Sequence, residues 1–270
     1  MKRLKHSTFR LFPAVGLLLG VLIAPTFGIA QPTPKASSGF NAYVAMVVAR
    51  LSEQHRLKNG FLTTLTPEDV ARLQRGEFVI DQRIPPTGTG LSGAMLHDWC
   101  GTAFVRGATA NEFARLMRDF SDYPRVFAPQ VVDANVLVQH GDGYTVRMRL
   151  RQRHVIPVVL DATYDVDFRR IDAYSGYSVS RSTKIQEINS AGTESDRAPG
   201  PGKDHGFLWR QNTYWSYEQR NGGLYLRVES VSLSRSIPTG LGWLVRPYLE
   251  SVPRESMEFT LRAVSRALPK

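Results

Sequence analysis

The stretch Met95–Pro129, MLHDWCGTAFVRGATANEFARLMRDFSDYPRVFAP, decides the fold. Residues 94–106 suit a β-strand, and Thr109 caps a helix in which Phe113, Leu116, Met117 and Phe120 share one apolar face. Asp122-Tyr123-Pro124 breaks that helix, and Arg125 to Pro129 makes a short turn or second helix. Working outward, strand patterns follow at 130–140, 143–153, 155–169, 173–189 and 206–220, with a further one at 223–234. Gly141-Asp142-Gly143 and Asn221-Gly222-Gly223 are hairpin turns, and a Gly/Pro-rich loop fills 191–204. Leu241 to Leu268 has helical periodicity, interrupted by Pro247 and Pro253, and its last part sets Met257, Leu261, Val264 and Leu268 along one face. This order predicts an α+β fold: a curved antiparallel sheet wrapped around a long C-terminal helix, with an apolar cavity between them.

One hairpin shows how the sheet is built. Tyr144, Val146, Met148 and Leu150 alternate with Thr145, Arg147, Arg149 and Arg151. In the next strand Ile156, Val158, Leu160, Ala162, Tyr164, Val166 and Phe168 alternate with a row that contains Asp161, Asp165 and Asp167. Each strand therefore has an apolar and a charged face. Pairing apolar to apolar sets arginines opposite aspartates on the wet side, so the arginine run reads as a cross-strand charge ladder rather than a nucleic-acid groove.

Upstream, residues 40–93 read as a helical arm leading into the main domain at 94–270. Phe40 to His55 is helical, with Tyr43, Val44, Val47, Val48 and Leu51 on one face. Thr66-Pro67-Glu68-Asp69 starts a second helix, because threonine caps, proline suits the first position and the acids meet the positive helix end. Gln31 to Gly39, QPTPKASSG, reads as a linker. A literal G-x-G-x-x-G lies within Thr87–Gly93, but Pro85-Pro86 precede it and a β-like segment follows, which is the wrong context for a dinucleotide loop.

Met1 to Ala30 has the form of an export signal. Lys2, Arg3, Lys5 and Arg10 precede an apolar run from Leu11 to Ala24, and Gly28-Ile29-Ala30 offers a cleavage site before Gln31. An uncleaved membrane anchor is the alternative, since the run approaches the ~20 residues that span a bilayer. The 270-residue chain carries a formal net charge of +10, and loss of the four basic residues of the leader leaves +6. That surplus is a weak pointer to an anionic surface, either membrane or polysaccharide, while export disfavours nucleic acid as a partner. Cys100 is the only cysteine, so no internal disulfide forms, and between Trp99 and Gly101 it reads as a small buried residue.

The element order, together with the Asp122-Tyr123-Pro124 turn followed by Phe127 and Pro129, resembles the START-like (SRPBCC, helix-grip) superfamily over residues 94–270. The likeness is nearest to its polyketide-cyclase and coenzyme-Q-binding branches. GFLWRQNTYWSYE (Gly206 to Glu218) and SRSIPTGLGWL (Ser234 to Leu244) look like signatures of an exported bacterial subgroup. The resemblance implies a last helix lying across the concave sheet face, over a cavity that takes lipids, isoprenoids or polyketide-like molecules.

On that reading the candidate ligand-binding residues are Tyr123, Phe207, Trp209, Arg210, Gln211, Trp215, Tyr217, Glu229, Trp243, Met257 and Leu261. Phe207, Trp209, Trp215 and Tyr217 share strand parity with Gln211 and Thr213, a mixture unusual in a dry core. Arg210, Asn212 and Tyr214 fall on the opposite face, and the sequence leaves open which face points inward. Glu229, brought near Trp215 by the hairpin, either orients a polar ligand head or pairs with Arg227 or Arg210. Trp243 is either a lid or an anchor at the strand-to-helix crossover. His97 and Asp98 are adjacent in a strand and so point to opposite faces, which precludes a hydrogen-bonded base dyad. His140, His154 and His205 have no metal-ligand spacing, no G-x-S-x-G is present, and no pattern asks for a cofactor. The sequence thus favours binding of a hydrophobic small molecule, with a cyclase- or hydrolase-type enzyme using His97 or Glu229, or an envelope interaction module, as alternatives.

Overall fold

A computed structural model of the chain describes residues 31–57, 60–83, 91, 93–153, 157–188, 208–236 and 242–269. The side chains of 152, 153, 157 and 242–251 lie outside that description, as does the leader read at 1–30. The described strands form one antiparallel sheet: β1 (Val79–Gln82), β2 (Ala94–Arg106), β3 (Val131–His140), β4 (Gly143–Arg153), β5 (Pro157–Arg170), β6 (Ser175–Glu187), β7 (Arg210–Arg220) and β8 (Gly223–Arg235). Their order across the sheet is β1-β2-β8-β7-β6-β5-β4-β3, so the first long strand pairs with the last and the meander runs outward from β8 to β3. Among the described residues the α-helices are α1 (Pro34–Arg56), α2 (Pro67–Gln74), α3 (Ala110–Arg118), α4 (Tyr123–Val126) and α5 (Gly242–Ala267).

Local chemistry accounts for the boundaries. The Thr109 hydroxyl accepts from the Glu112 amide while the Glu112 carboxylate accepts from the Thr109 amide, a reciprocal cap that starts α3. Thr66 and Asp69 do the same for α2. Asn221 and Gly222, both at positive φ, make the tight turn between β7 and β8. The hairpin register is as the alternation demanded, with Val146 opposite Tyr164 and Arg149 opposite Asp161. Asp161 accepts from both Arg147 and Arg149 (2.9 Å from the latter's Nε), and Thr145 donates to Asp165 at 2.8 Å.

Side-chain parity gives the sheet two different covers. Its inner face, toward α3 and α5, carries Trp99, Ala103, Val105, Tyr164, Val166, Phe168, Trp215, Tyr217, Leu226 and Val228, packed against Phe113, Met117, Met257, Leu261 and Val264. Its outer face at β2, β8 and β7 carries Leu96, Tyr214, Val231 and Leu233, packed against Ala36, Phe40, Val47 and Leu51 of α1. A sheet curved around α5, with N-terminal helices added outside, is the helix-grip arrangement.

Three expectations change. The linker at 31–39 is largely helical: the Thr33 hydroxyl accepts from the Ala36 amide, Pro34 opens α1, and Ala36 and Phe40 are fully buried. The 40–93 segment does not stand apart as an arm, because α1 covers the outer face and β1 pairs with β2. The closing helix runs through Pro247 and Pro253 without interruption. Each proline removes one backbone hydrogen bond. The buried stripe Met257, Leu261, Val264 and Leu268 holds the helix to the core nonetheless.

Candidate functional site

The inner face is organised in tiers across β2, β8, β7 and β6. Nearest α3 lie Ala103, Leu226 and Tyr217, and next to them Gly101, Val228, Trp215 and Ser178. The following tier is Trp99, Ser230, Thr213 and Ser180, and the last is His97, Ser232 and Gln211. Polarity rises along this sequence. The two tiers nearest α3 are closed by side chains: Phe113 stacks at a tilt on Trp215 and Tyr217, with centroids 5.4 and 5.1 Å apart. Met257 and Leu261 sit directly over Gly101.

Apart from the buried Trp99, the side chains of the two polar tiers are half-buried, and hydrogen bonds join them. Gln211 is held from both sides: Tyr164 Oη donates to its Oε1 at 3.1 Å, and its Nε2 donates to Ser230 Oγ at 3.3 Å. Its backbone amide donates to Ser182 Oγ at 2.8 Å. His97 Nε2 lies 3.1 Å from Ser234 Oγ. Trp99 Nε1 is buried without a hydrogen-bond partner. Burial lowers the His97 pKa from its ordinary value, so the ring is neutral at neutral pH. From its seat over Gly101, α5 runs on to meet α4. A recess of about 300 Å³ opens where α5 meets α4, with Phe259 and Ala263 among its apolar walls. Arg125 and Arg262 on its rim are paired with Asp122 and Glu258.

The nominated residues divide accordingly. Gln211, Trp215, Tyr217, Met257 and Leu261 are on the inner face, and all but Gln211 are packed core. Tyr123 is also core, its hydroxyl donating to the Met117 carbonyl at 2.8 Å near the end of α3. Trp209 and Arg210 belong to the outer face, which corrects their assignment. Trp209 precedes the regular strand and packs beneath α1, and the Arg210 guanidinium lies 5.3 Å from the Phe40 ring centroid. Glu229 is corrected as well: it faces outward opposite Tyr214, fully buried, and pairs with Arg50 of α1 rather than with Arg227 or Arg210. Phe207 and the Trp243 side chain lie outside the described residues.

Sequence reasoning missed the polar seam under α1. Tyr43 Oη donates to Asp98 Oδ2 at 2.7 Å, and Arg227 Nε donates to Cys100 Sγ at 2.9 Å. Burial, and next the Glu229 charge, push Asp98 up to about 7. His55 stacks on Tyr177 at 4.0 Å and lies 2.9 Å from Ser216 Oγ, and burial lowers it to about 4. The signal was available in Asp98, Cys100, Arg227 and Glu229, four polar side chains that share outward parity on β2 and β8. Among the described residues no three His, Cys, Asp or Glu side chains gather as a metal site, and no helix is long and apolar enough to cross a membrane.

No protein-family model matches the chain, and no curated protein matches it by sequence. Solved structures do match in shape. The protein TTHA0849 from Thermus thermophilus is 12% identical, with 62% of this chain and 94% of that chain covered, at a TM-score of 0.45. The Zhui aromatase/cyclase from Streptomyces sp. R1128 is 15% identical over 64% and 93%, at 0.44. A STAR-related lipid transfer protein fragment from Xanthomonas axonopodis is 15% identical over 69% and 97%, at 0.42. By its own arrangement of sheet and closing helix, the chain has a helix-grip fold.

Proposed function

We propose that this chain is an exported binding protein that holds a hydrophobic small molecule, a lipid, isoprenoid or polyketide-like compound, between the inner sheet face and the N-terminal half of α5. The observation that carries this reading is the change of character along the inner face. Near α3 it is sealed by aromatic packing, whereas Gln211, Thr213, Ser230 and Ser232 at the other end are half-buried and polar. A dry core has no use for such a row, while a ligand pocket needs a few placed polar groups. Export rests on the leader pattern, and docking to an anionic membrane on the basic surplus.

Of the enzyme alternative's two candidate groups, Glu229 is sealed on the outer face in an ion pair, which leaves His97, on the inner face beside the Ser234 hydroxyl. For the interaction-module alternative, the basic face to be tested is the row Arg147, Arg149 and Arg151. The first two are bound to Asp161, as a solvated ladder requires.

Native mass spectrometry of the protein released gently from its own cell envelope tests the proposal. The expected spectrum carries an added mass that organic extraction removes and that is recovered as an apolar molecule. A bare protein mass from freshly released material would overturn it.

A further inference from the structure

We infer that this chain docks to an anionic phospholipid surface through the β5–β6 turn and the adjoining face of α3. Arginines there take lipid phosphates while Ile171 and Tyr174 enter the apolar boundary. The inference rests on the reading that the protein binds an anionic membrane, and it names the surface that does so.

The turn 171–174 stands at the α3 end of the sheet, away from the polar tiers. It sets two large apolar side chains out to solvent, Ile171 46% and Tyr174 61% exposed. The turn is fixed by its own bonds. The Asp172 carboxylate accepts from the Tyr174 amide at 2.8 Å and the Ser175 hydroxyl at 2.9 Å. The Tyr174 carbonyl accepts from the Gln219 amide of β7 at 2.8 Å. Exposure of both side chains is therefore built into the hairpin. Tyrosine beside an aliphatic residue suits the boundary between water and lipid.

Against this tip lies an open recess of about 470 Å³, lined by Asn111, Ala114, Arg115 and Arg118 of α3 and by Arg170 of β5, all described residues. Arg170 donates to Asn111 Oδ1 at 2.6 Å and to the Asp172 and Ala173 carbonyls at 2.9 and 3.1 Å. These bonds seat its guanidinium against the tip and use no carboxylate. Arg118 is shared among the Ala114 carbonyl at 3.2 Å, Asp142 at 3.4 Å and the Phe168 ring, 4.4 Å from its centroid. Arg115 is exposed, and its neighbour Glu112 is committed to capping α3. The other acids of this end are engaged too: Glu218 lies 3.8 Å from Arg220, and Asp119 accepts from the Ser121 hydroxyl. Three guanidiniums on one recess suit phosphate oxygens, which their planar forks meet two at a time. A soluble phosphate would satisfy the arginines and leave Ile171 and Tyr174 in water, whereas a bilayer meets both.

The test sediments the full chain freed of its leader with vesicles of equimolar phosphatidylglycerol and phosphatidylcholine, or of phosphatidylcholine alone. The parent should bind the first, less tightly as salt is added, and bind the second weakly. An arginine near an anionic surface is worth roughly fivefold in affinity, so Arg115→Gln with Arg170→Gln should weaken binding roughly twentyfold. Ile171→Ser with Tyr174→Ser should weaken it severalfold. Removing the same charge from the wet sheet face, with Arg147→Gln and Arg151→Gln, should change it far less. Equal loss from the two arginine pairs would show that net charge alone is read and would overturn the inference. So would unchanged binding without Ile171 and Tyr174, or release of the parent by inorganic phosphate at an ionic strength where chloride leaves it bound. A parent that binds neither vesicle would sink the membrane reading as well, whereas a bound parent with indifferent variants sinks only the surface named here. Arg115→Gln alone, expected to cost roughly fivefold, decides if the double variant does not fold.

Discussion

Gly101 is where the closing helix meets the sheet. A Cβ placed there would lie 2.8 Å from both Met257 Cγ and Leu261 Cδ1, so α5 approaches β2 to a distance only a bare backbone allows. Met257 is unbranched and can yield to one methyl, but a branched side chain needs the helix itself to move. Gly101→Val is therefore expected to cost about 1–3 kcal/mol in chemical denaturation, with Gly101→Ala well below it. Equal stability of Gly101→Val and the parent would show that α5 is not seated on β2. Tyr123 shows the same economy of single side chains. The Asp-Tyr-Pro turn was legible as a helix breaker, but the hydroxyl's service to the Met117 carbonyl was not, since nothing in the sequence marks which carbonyl a buried phenol will reach.

At the scale of elements, the docking of α1 couples two titrations of opposite sign. Asp98, raised from 3.8 to about 7, binds its proton more readily in the folded chain, so its contribution weakens folding as pH rises from about 4 to 7. His55, lowered from 6.5 to about 4, is held neutral in the fold, so its contribution is lost as pH falls through the same interval. Around them lie Tyr43 and Arg50 from α1, Cys100 from β2, Arg227 and Glu229 from β8, Tyr214 from β7, and Arg83. The two slopes oppose each other, and the parent should be nearly flat in urea midpoint between pH 5 and 7. Asp98→Asn should gain stability with rising pH, and His55→Gln should lose it. Identical profiles for both variants and the parent would refute the coupling. The seam also explains what the sequence concealed. Strands β4 and β5 have one wet face, so their alternation stood out and their register was readable. Strands β7 and β8 are covered on both faces, with Tyr214 and Trp215 buried in succession, so period-two contrast vanishes and the inward face cannot be told.

Taken as one molecule, the sheet is unevenly clad. Its β2-β8-β7 centre lies between α1 and the inner-face helices, whereas the β3 end has an unpaired edge with Val136, Leu137 and Val138 between 41% and 55% exposed. Local opening follows cover, so β8 amides should be the slowest to exchange with deuterium and those on the free side of β3 the fastest. The same contrast bears on where the proposed ligand would lie. The tiers nearest α3 are already packed around Trp215 and Tyr217 and have little further order to gain. The polar tiers and the start of α5 are where a guest would add contacts. Saturating retinol, used as an apolar probe, should therefore slow exchange in residues 94–99, 209–213, 230–235 and 242–256. Residues 103–106 and 215–218 should be unaffected. Protection appearing instead around α3 and the β7–β8 turn would put the guest at the opposite end of the sheet, where aromatic side chains would have to part to admit it.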